Sequence, residues 1–124
     1  MAGDYKVFIG GKWVDSVSKE KMDIINPANS KVIATVPRCN PTDVDIAVKA
    51  AGDAFPLWSS KTIAERSKII MKLSQLIMAH HEELAKLETM EQGSPIRKTM
   101  NFDIPLCAEQ LEYFAGVGRA LTGE

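Results

Sequence analysis

The sequence predicts an α+β fold, strands first and three helices after, and three observations carry that prediction. Alternating apolar residues and turn-forming pairs fill residues 5–36. At Asn40-Pro41 a helix-start signal changes the apolar period from two residues to 3.6, and no later segment returns to a strand pattern. The chain has 124 residues, 45% of them hydrophobic and 25% charged, as in one soluble domain. A single region, 1–124, is therefore expected, with strands over 5–36 and helices over 40–124. The formal net charge of −1, with Lys and Arg scattered among Asp and Glu, argues against the basic face that nucleic-acid binding requires.

Each element has a local reason. In "YKVFIGGKWVDS" two short apolar stretches flank Gly10-Gly11, a pair that adopts positive φ without steric cost, so a hairpin is expected with Phe8 facing Trp13. "MDIINPANSKVIATVP" gives two further strands around the turn formers Asn26-Pro27-Ala28-Asn29. Asn40 then caps a helix, with Pro41 at its first position and Asp43 in the first turn, where the helix dipole favours a negative charge. Val44, Ala47, Val48, Ala51, Ala54 and Phe55 form its apolar stripe, and Pro56 is expected to end it. Thr62 opens a second helix through the capping box "TIAE". Its apolar face, Ile69, Ile70, Leu73, Leu76, Ile77, Leu84 and Leu87, is expected to run unbroken to about Met90, with Gly93 as the stop. A third helix follows Ser94-Pro95. Pro105 interrupts it, because an interior proline removes a donor and costs about 3 kcal/mol, so a kink or fresh start is expected at Asp103. Cys107, Leu111, Phe114, Val117 and Leu121 form the stripe beyond.

Several stretches look like sites without being built as such. "GVGRALTG" over 116–123 has the glycines of a nucleotide loop, but it follows a helix, not a strand, and Glu124 stands where a phosphate loop needs lysine. "HHEELA" offers His81 and Glu82 but has Ala85 where a zinc-protease helix needs its second histidine. His80 and His81 are expected to flank the apolar face, with Glu82 and Glu83 in solvent. Cys39 and Cys107, the only cysteines, are too few for a disulfide scaffold and lack zinc-site spacing. Both are read as structural or incidental rather than as nucleophiles, and the compartment as reducing. "MAGDYKVFIGGKW" has no basic start followed by an apolar run, and no segment reaches the roughly 18 apolar residues of a membrane span. A cytoplasmic protein is expected, with neither membrane nor nucleic acid as partner. Glu88 and Glu91 in "LETMEQGSPI" sit one turn apart at a helix C-terminus, where the dipole gives a carboxylate no support; this suggests a partner.

The motifs jointly resemble the start of an NAD(P)-dependent aldehyde dehydrogenase. They are "YKVFIGGKWVDS", "INPANSKVIATVP", the A-x-x-A-F-x-x-W segment with A-x-R (Ala51, Ala54, Phe55, Trp58, Ala64, Arg66), E-x-G-x-P, and the helix "LEYFAGVGRALTGE". The resemblance covers nearly the whole chain. It implies that 5–36 belong to an outer arm and that 40–124 pack on the nucleotide-binding domain of a larger α/β enzyme. Family members are several times longer, and the nucleophilic cysteine, base, oxyanion-hole asparagine and cofactor turn belong to regions that would follow Glu124. An N-terminal segment is expected that has no catalytic residue and binds no cofactor alone. In the complete enzyme the cofactor would be NAD or NADP, with the rest of the dehydrogenase chain as partner and a homo-oligomer as the assembly. By the same resemblance, Glu91 with the backbone carbonyls of Ile24 and Ile25 would hold a structural monovalent cation. A solvated helix end is the competing reading, and Ser94 replaces the lysine common before the proline. Leu106 would line the substrate tunnel, with ordinary core packing as its alternative.

Two other classes stay open. The apolar stripes on three helices, with no central sheet over them, suit a self-associating, non-catalytic interaction module. A small ligand-binding protein would need a pocket that the sequence does not advertise.

Overall fold

The computed structural model describes residues 3–120. Its contacts divide the chain into two compact units between Trp58 and Ser59.

The first unit holds all the strands. β1 (Gly3–Asp4) lies parallel to β5 (Lys31–Pro37), which pairs antiparallel with β4 (Lys21–Asn26), in the order β1-β5-β4. β2 (Val7–Ile9) and β3 (Lys12–Val14) form a separate ribbon with Phe8 opposite Trp13, their rings 5.0 Å apart. Gly10 (φ 59°) and Gly11 (φ 79°) both lie in the left-handed region, the requirement of the tight turn that matches strand twist. The β4–β5 turn is closed by Asn26 Oδ1, which accepts from the Ala28 N–H at 2.9 Å, and by Asn29 Oδ1, which accepts from the Lys31 N–H at 3.0 Å. The register shifts between Ile24 and Ile25: they face Ala34 and Val32, so Ile33 is the extra residue of a bulge.

α1 (Pro41–Ser59) starts as its sequence predicts, with the Asp43 N–H donating to Asn40 Oδ1 at 3.1 Å and the Asn40 N–H donating back to Asp43 Oδ2 at 3.0 Å. It does not end at Pro56, which sits inside the helix. A proline removes one backbone donor, and the turns on either side carry the helix three residues beyond it.

In the second unit, α2 (Ile63–Ala79) opens with the expected capping box: the Glu65 N–H donates to Thr62 Oγ1, and Glu65 Oε2 accepts from the Thr62 N–H at 2.8 Å. The single helix expected to Met90 is instead two, α2 and α3 (His81–Gln92). The break is at His80, whose φ of −105° and ψ of 17° leave the helical region and whose N–H is shared between the Leu76 and Ile77 carbonyls. Gly93, at φ 78°, ends α3 as expected. α4 (Ile96–Lys98) runs through a π-helical turn, Thr99–Asp103, into α5 (Ile104–Val117). The expected kink ahead of Pro105 is thus a π-turn.

The core of this unit lies between α2 and α5, and it is not the surface that the apolar stripes predicted. The buried residues are Ser67 and Ser74 of α2, Ala85 of α3, Thr99 of the π-turn, and Ala108 and Ala115 of α5. Small side chains let the two helix backbones approach closely. Of the expected stripes, Ile69, Leu73 (47% exposed), Leu76 and Leu87 face outward, as do Cys107, Phe114 (63% exposed) and Val117, while Ile70, Ile77, Leu84 and Leu111 are half-buried. On α1, Val44, Val48 and Phe55 are likewise exposed. Leu121 lies outside the described residues.

Candidate functional site

The densest polar constellation of the second unit surrounds the π-turn. Thr99, fully buried, donates through Oγ1 to the Ile96 carbonyl at 3.0 Å. Its one proton being used there, the Thr89 hydroxyl 2.9 Å away must donate to it, which ties α3 to the turn. Lys98 Nζ grips both Asp103 oxygens, at 2.7 and 3.0 Å, five residues ahead. On a regular α-helix those two positions would lie about 140° apart, so the ion pair belongs to the wider turn. Asn101 Nδ2 donates to the Arg97 carbonyl at 2.9 Å. Within the turn the Ile104 N–H reaches back five residues to the Thr99 carbonyl. The next donor in that pattern would come from residue 105 to Met100, and proline has none. The Met100 carbonyl is met instead by Nε2 of His81, the first residue of α3. A carbonyl only accepts, so the neutral ring carries its proton on Nε2. His81 is therefore a structural donor. The sequence offers no signal for this bond, because its partners are 19 positions apart.

The equivalent node of the first unit is Asp43, 4% exposed. Its carboxylate accepts from the Val17 N–H at 2.6 Å, the Ser16 hydroxyl at 2.7 Å and the Asn40 N–H. These donors, the Asn40 N–H foremost and then the Val17 N–H, hold its carboxyl below the usual aspartate range. The same arrangement fills the N-terminus of α1, the place after a strand where a pyrophosphate would sit, with the protein's own anion. The 38–43 connection contains no glycine for close phosphate approach. A nicotinamide dinucleotide therefore does not fit this strand-to-helix turn.

The residues singled out by resemblance fall in both units. Ile24 and Ile25 flank the register shift of β4 in the first. Glu91 is exposed in the last turn of α3 in the second, and Leu106, 37% exposed, stands in the first turn of α5. Glu88 has a nearby partner in Gln92, whose Nε2 donates to its Oε1. Among the described residues no three His, Cys, Asp or Glu side chains gather in a metal-binding group, and neither cysteine is in a disulfide. Both thiols are exposed, so Cys107 lies on the outward part of the stripe. Glu82 and Glu83 are exposed, as expected, and are paired with Lys86 (2.6 Å) and His80 (3.2 Å); the Lys86 ammonium lowers the pKa of Glu82. The glycine-rich stretch is a helix terminus as expected, starting in the last turn of α5 with Gly118 as the cap; its last three residues, 121–123, lie outside the described region. No described helix is long and apolar enough to cross a membrane.

Comparison with known proteins gives this arrangement a context. The profile of the aldehyde dehydrogenase family matches residues 13–124. The chain belongs to that family. It is 41% identical, over its whole length, to 26% of DhaS of Bacillus subtilis, a protein assigned as an aldehyde dehydrogenase. The fold superposes with a TM-score of 0.94 on an NAD-dependent aldehyde dehydrogenase from Sinorhizobium meliloti, at 37% identity, covering 100% of this chain and 25% of that one. An aldehyde dehydrogenase from Bacillus cereus, in complex with NAD, gives 0.94 and 37% over 98% of this chain and 25% of that one. The chain thus spans about a quarter of the length of these aldehyde dehydrogenases and corresponds to their N-terminal part.

Proposed function

We propose that this chain is the N-terminal segment of an NAD(P)-dependent aldehyde dehydrogenase, which in complete form oxidises an aldehyde to a carboxylic acid, and that the segment alone is not catalytic. The observation that carries this reading is the apolar surface left over in the second unit. Ile69, Leu73 and Leu76 of α2 and Phe114 and Val117 of α5 are exposed on helices whose packed faces are serine and alanine. Such faces need cover, and a chain that spans a quarter of its relatives leaves the cover to the rest of the protein. The reaction requires a thiolate to attack the aldehyde, a nicotinamide to accept hydride, and a base to activate water. This segment's share is scaffold. Leu106 contributes an apolar tunnel wall, and Glu91 a carboxylate ligand to a structural monovalent cation. The dinucleotide, NAD or NADP, is held by residues outside this segment. The complete enzyme is a cytoplasmic homo-oligomer with neither membrane nor nucleic acid as partner.

A second reading, a self-associating non-catalytic module, draws on the same exposed stripes. Purified chain and complete dehydrogenase, each assayed with aldehyde and NAD and sized by light scattering, separate the two. The first reading expects NADH from the complete enzyme alone. NADH produced by the 124-residue chain would overturn its non-catalytic half, whereas a complete protein with no activity and a discrete oligomer of the short chain would favour the module.

A further inference from the structure

We infer that His81 is a positioning residue that sets the rotation of α5. It does so by donating to the Met100 carbonyl that Pro105 leaves without a backbone partner. A π-turn contains one residue more than the α-helical turn it replaces, so every side chain beyond it is rotated by about 100° relative to an uninterrupted helix. Leu106 directly follows the proline, and its direction depends on whether the turn is held. Five side-chain bonds hold it from outside the backbone ladder: Thr89 to Thr99, Thr99 to Ile96, Asn101 to Arg97, Lys98 to Asp103, and His81 to Met100. Only the last supplies the donor that the proline lacks. Half-buried His81 reaches it from the first residue of α3, so α3 clamps the turn at two points, Thr89 and His81.

A substitution elsewhere in the chain should then compensate for loss of the imidazole. Pro105→Ala restores a backbone N–H where the Met100 carbonyl needs one. In the complete dehydrogenase, His81→Leu is expected to lower amide-exchange protection of Ile104 and Leu106 by about tenfold, the effect of orphaning one part-buried carbonyl. His81→Gln, which keeps a side-chain N–H, is expected to stay within about twofold of the parent. In the Pro105→Ala background, His81→Leu is expected to change protection by less than about twofold. Equal losses in both backgrounds would overturn the inference, because a packing role for the ring would not depend on residue 105. Should His81→Leu fail to fold, recovery of the fold in the double variant supports the inference and failure of the double variant overturns it.

The activity readout rests on the proposed tunnel role of Leu106. His81→Leu is expected to raise KM for long aldehydes several-fold with kcat little changed, in the same direction as the change expected of Leu106→Ala. If Leu106→Ala shifts chain-length preference and His81→Leu does not, the positioning role fails and the tunnel reading stands. If Leu106→Ala shifts nothing, the tunnel reading fails, and the exchange coupling between His81 and Pro105 decides the inference.

Discussion

Ser67→Ala should destabilise the helical unit more than Ser74→Ala, although Ser74 is the more deeply buried of the two. Ser67 Oγ donates to the Ala115 carbonyl at 2.7 Å. That carbonyl is among the last four of α5, which have no partner inside the helix. The N–H four residues on, of Arg119, turns instead to Gly116 at 3.0 Å. Removing the hydroxyl strands a carbonyl on a residue that is only 3% exposed, a change that costs about 1–3 kcal/mol. Ser74 Oγ donates to Glu112 Oε1 at 2.9 Å. Glu112 is exposed, so water replaces the lost donor and the change costs under about 1 kcal/mol. Both substitutions remove one oxygen and leave similar small voids, so their difference isolates the fate of the partner. Urea unfolding followed by far-ultraviolet circular dichroism reads it as a lower midpoint at unchanged slope. Equal losses, or a larger loss for Ser74→Ala, would refute the reasoning, and would mean that Arg119 re-forms the regular helical bond at little cost.

Two further outcomes follow from the first unit. Asp43 is held below the ordinary aspartate value of 3.8, so its contribution is complete above that value and is lost as pH falls through it towards the depressed folded pKa. The urea midpoint of the parent should therefore drop towards that of Asp43→Asn between about pH 5 and pH 3, with the variant nearly flat; parallel curves would refute the assignment. Gly11 has φ 79°, and a Cβ added there would find nothing within 4 Å, so Gly11→Ala meets strain without collision. It should cost roughly 1 kcal/mol in thermal or urea unfolding, and an unchanged midpoint would show that the turn changes type freely.

The parts of this fold legible in the sequence are those whose signals lie within a few residues of their effect. Gly10-Gly11, Asn26, the Asn40 and Thr62 caps and the Gly93 stop all act through bonds or dihedrals two to four positions away. Pro56 shows the limit of that rule, since one missing donor is outweighed by the helix on both sides of it. The packed face of α2 and α5 escapes the sequence for a different reason. Hydrophobic periodicity finds the largest apolar surface, and in a segment of a larger protein that surface faces outward, while serines and alanines make the contact within the chain. Ser67 and Ala115, 48 positions apart, and His81 and Met100, 19 apart, carry no mutual signal along the sequence. For the candidate site, Leu106, Glu91, Ile24 and Ile25 come from resemblance alone. The His80 break is hidden because its neighbours continue the helical period on both sides.

The placement of the aromatic residues decides how this chain can be watched as it unfolds. Both tryptophans, Trp13 against Phe8 in the ribbon and Trp58 near the end of α1, lie before the division between the units, and none lies after it. Indole emission therefore originates in the first unit, whereas peptide-bond ellipticity is dominated by helices, most of which belong to that second half. Recorded on one sample, the two signals act as separate gauges for the two halves. Curves that coincide would mean that the division between Trp58 and Ser59 is geometric only; curves that part would mean that it is also a boundary of cooperativity.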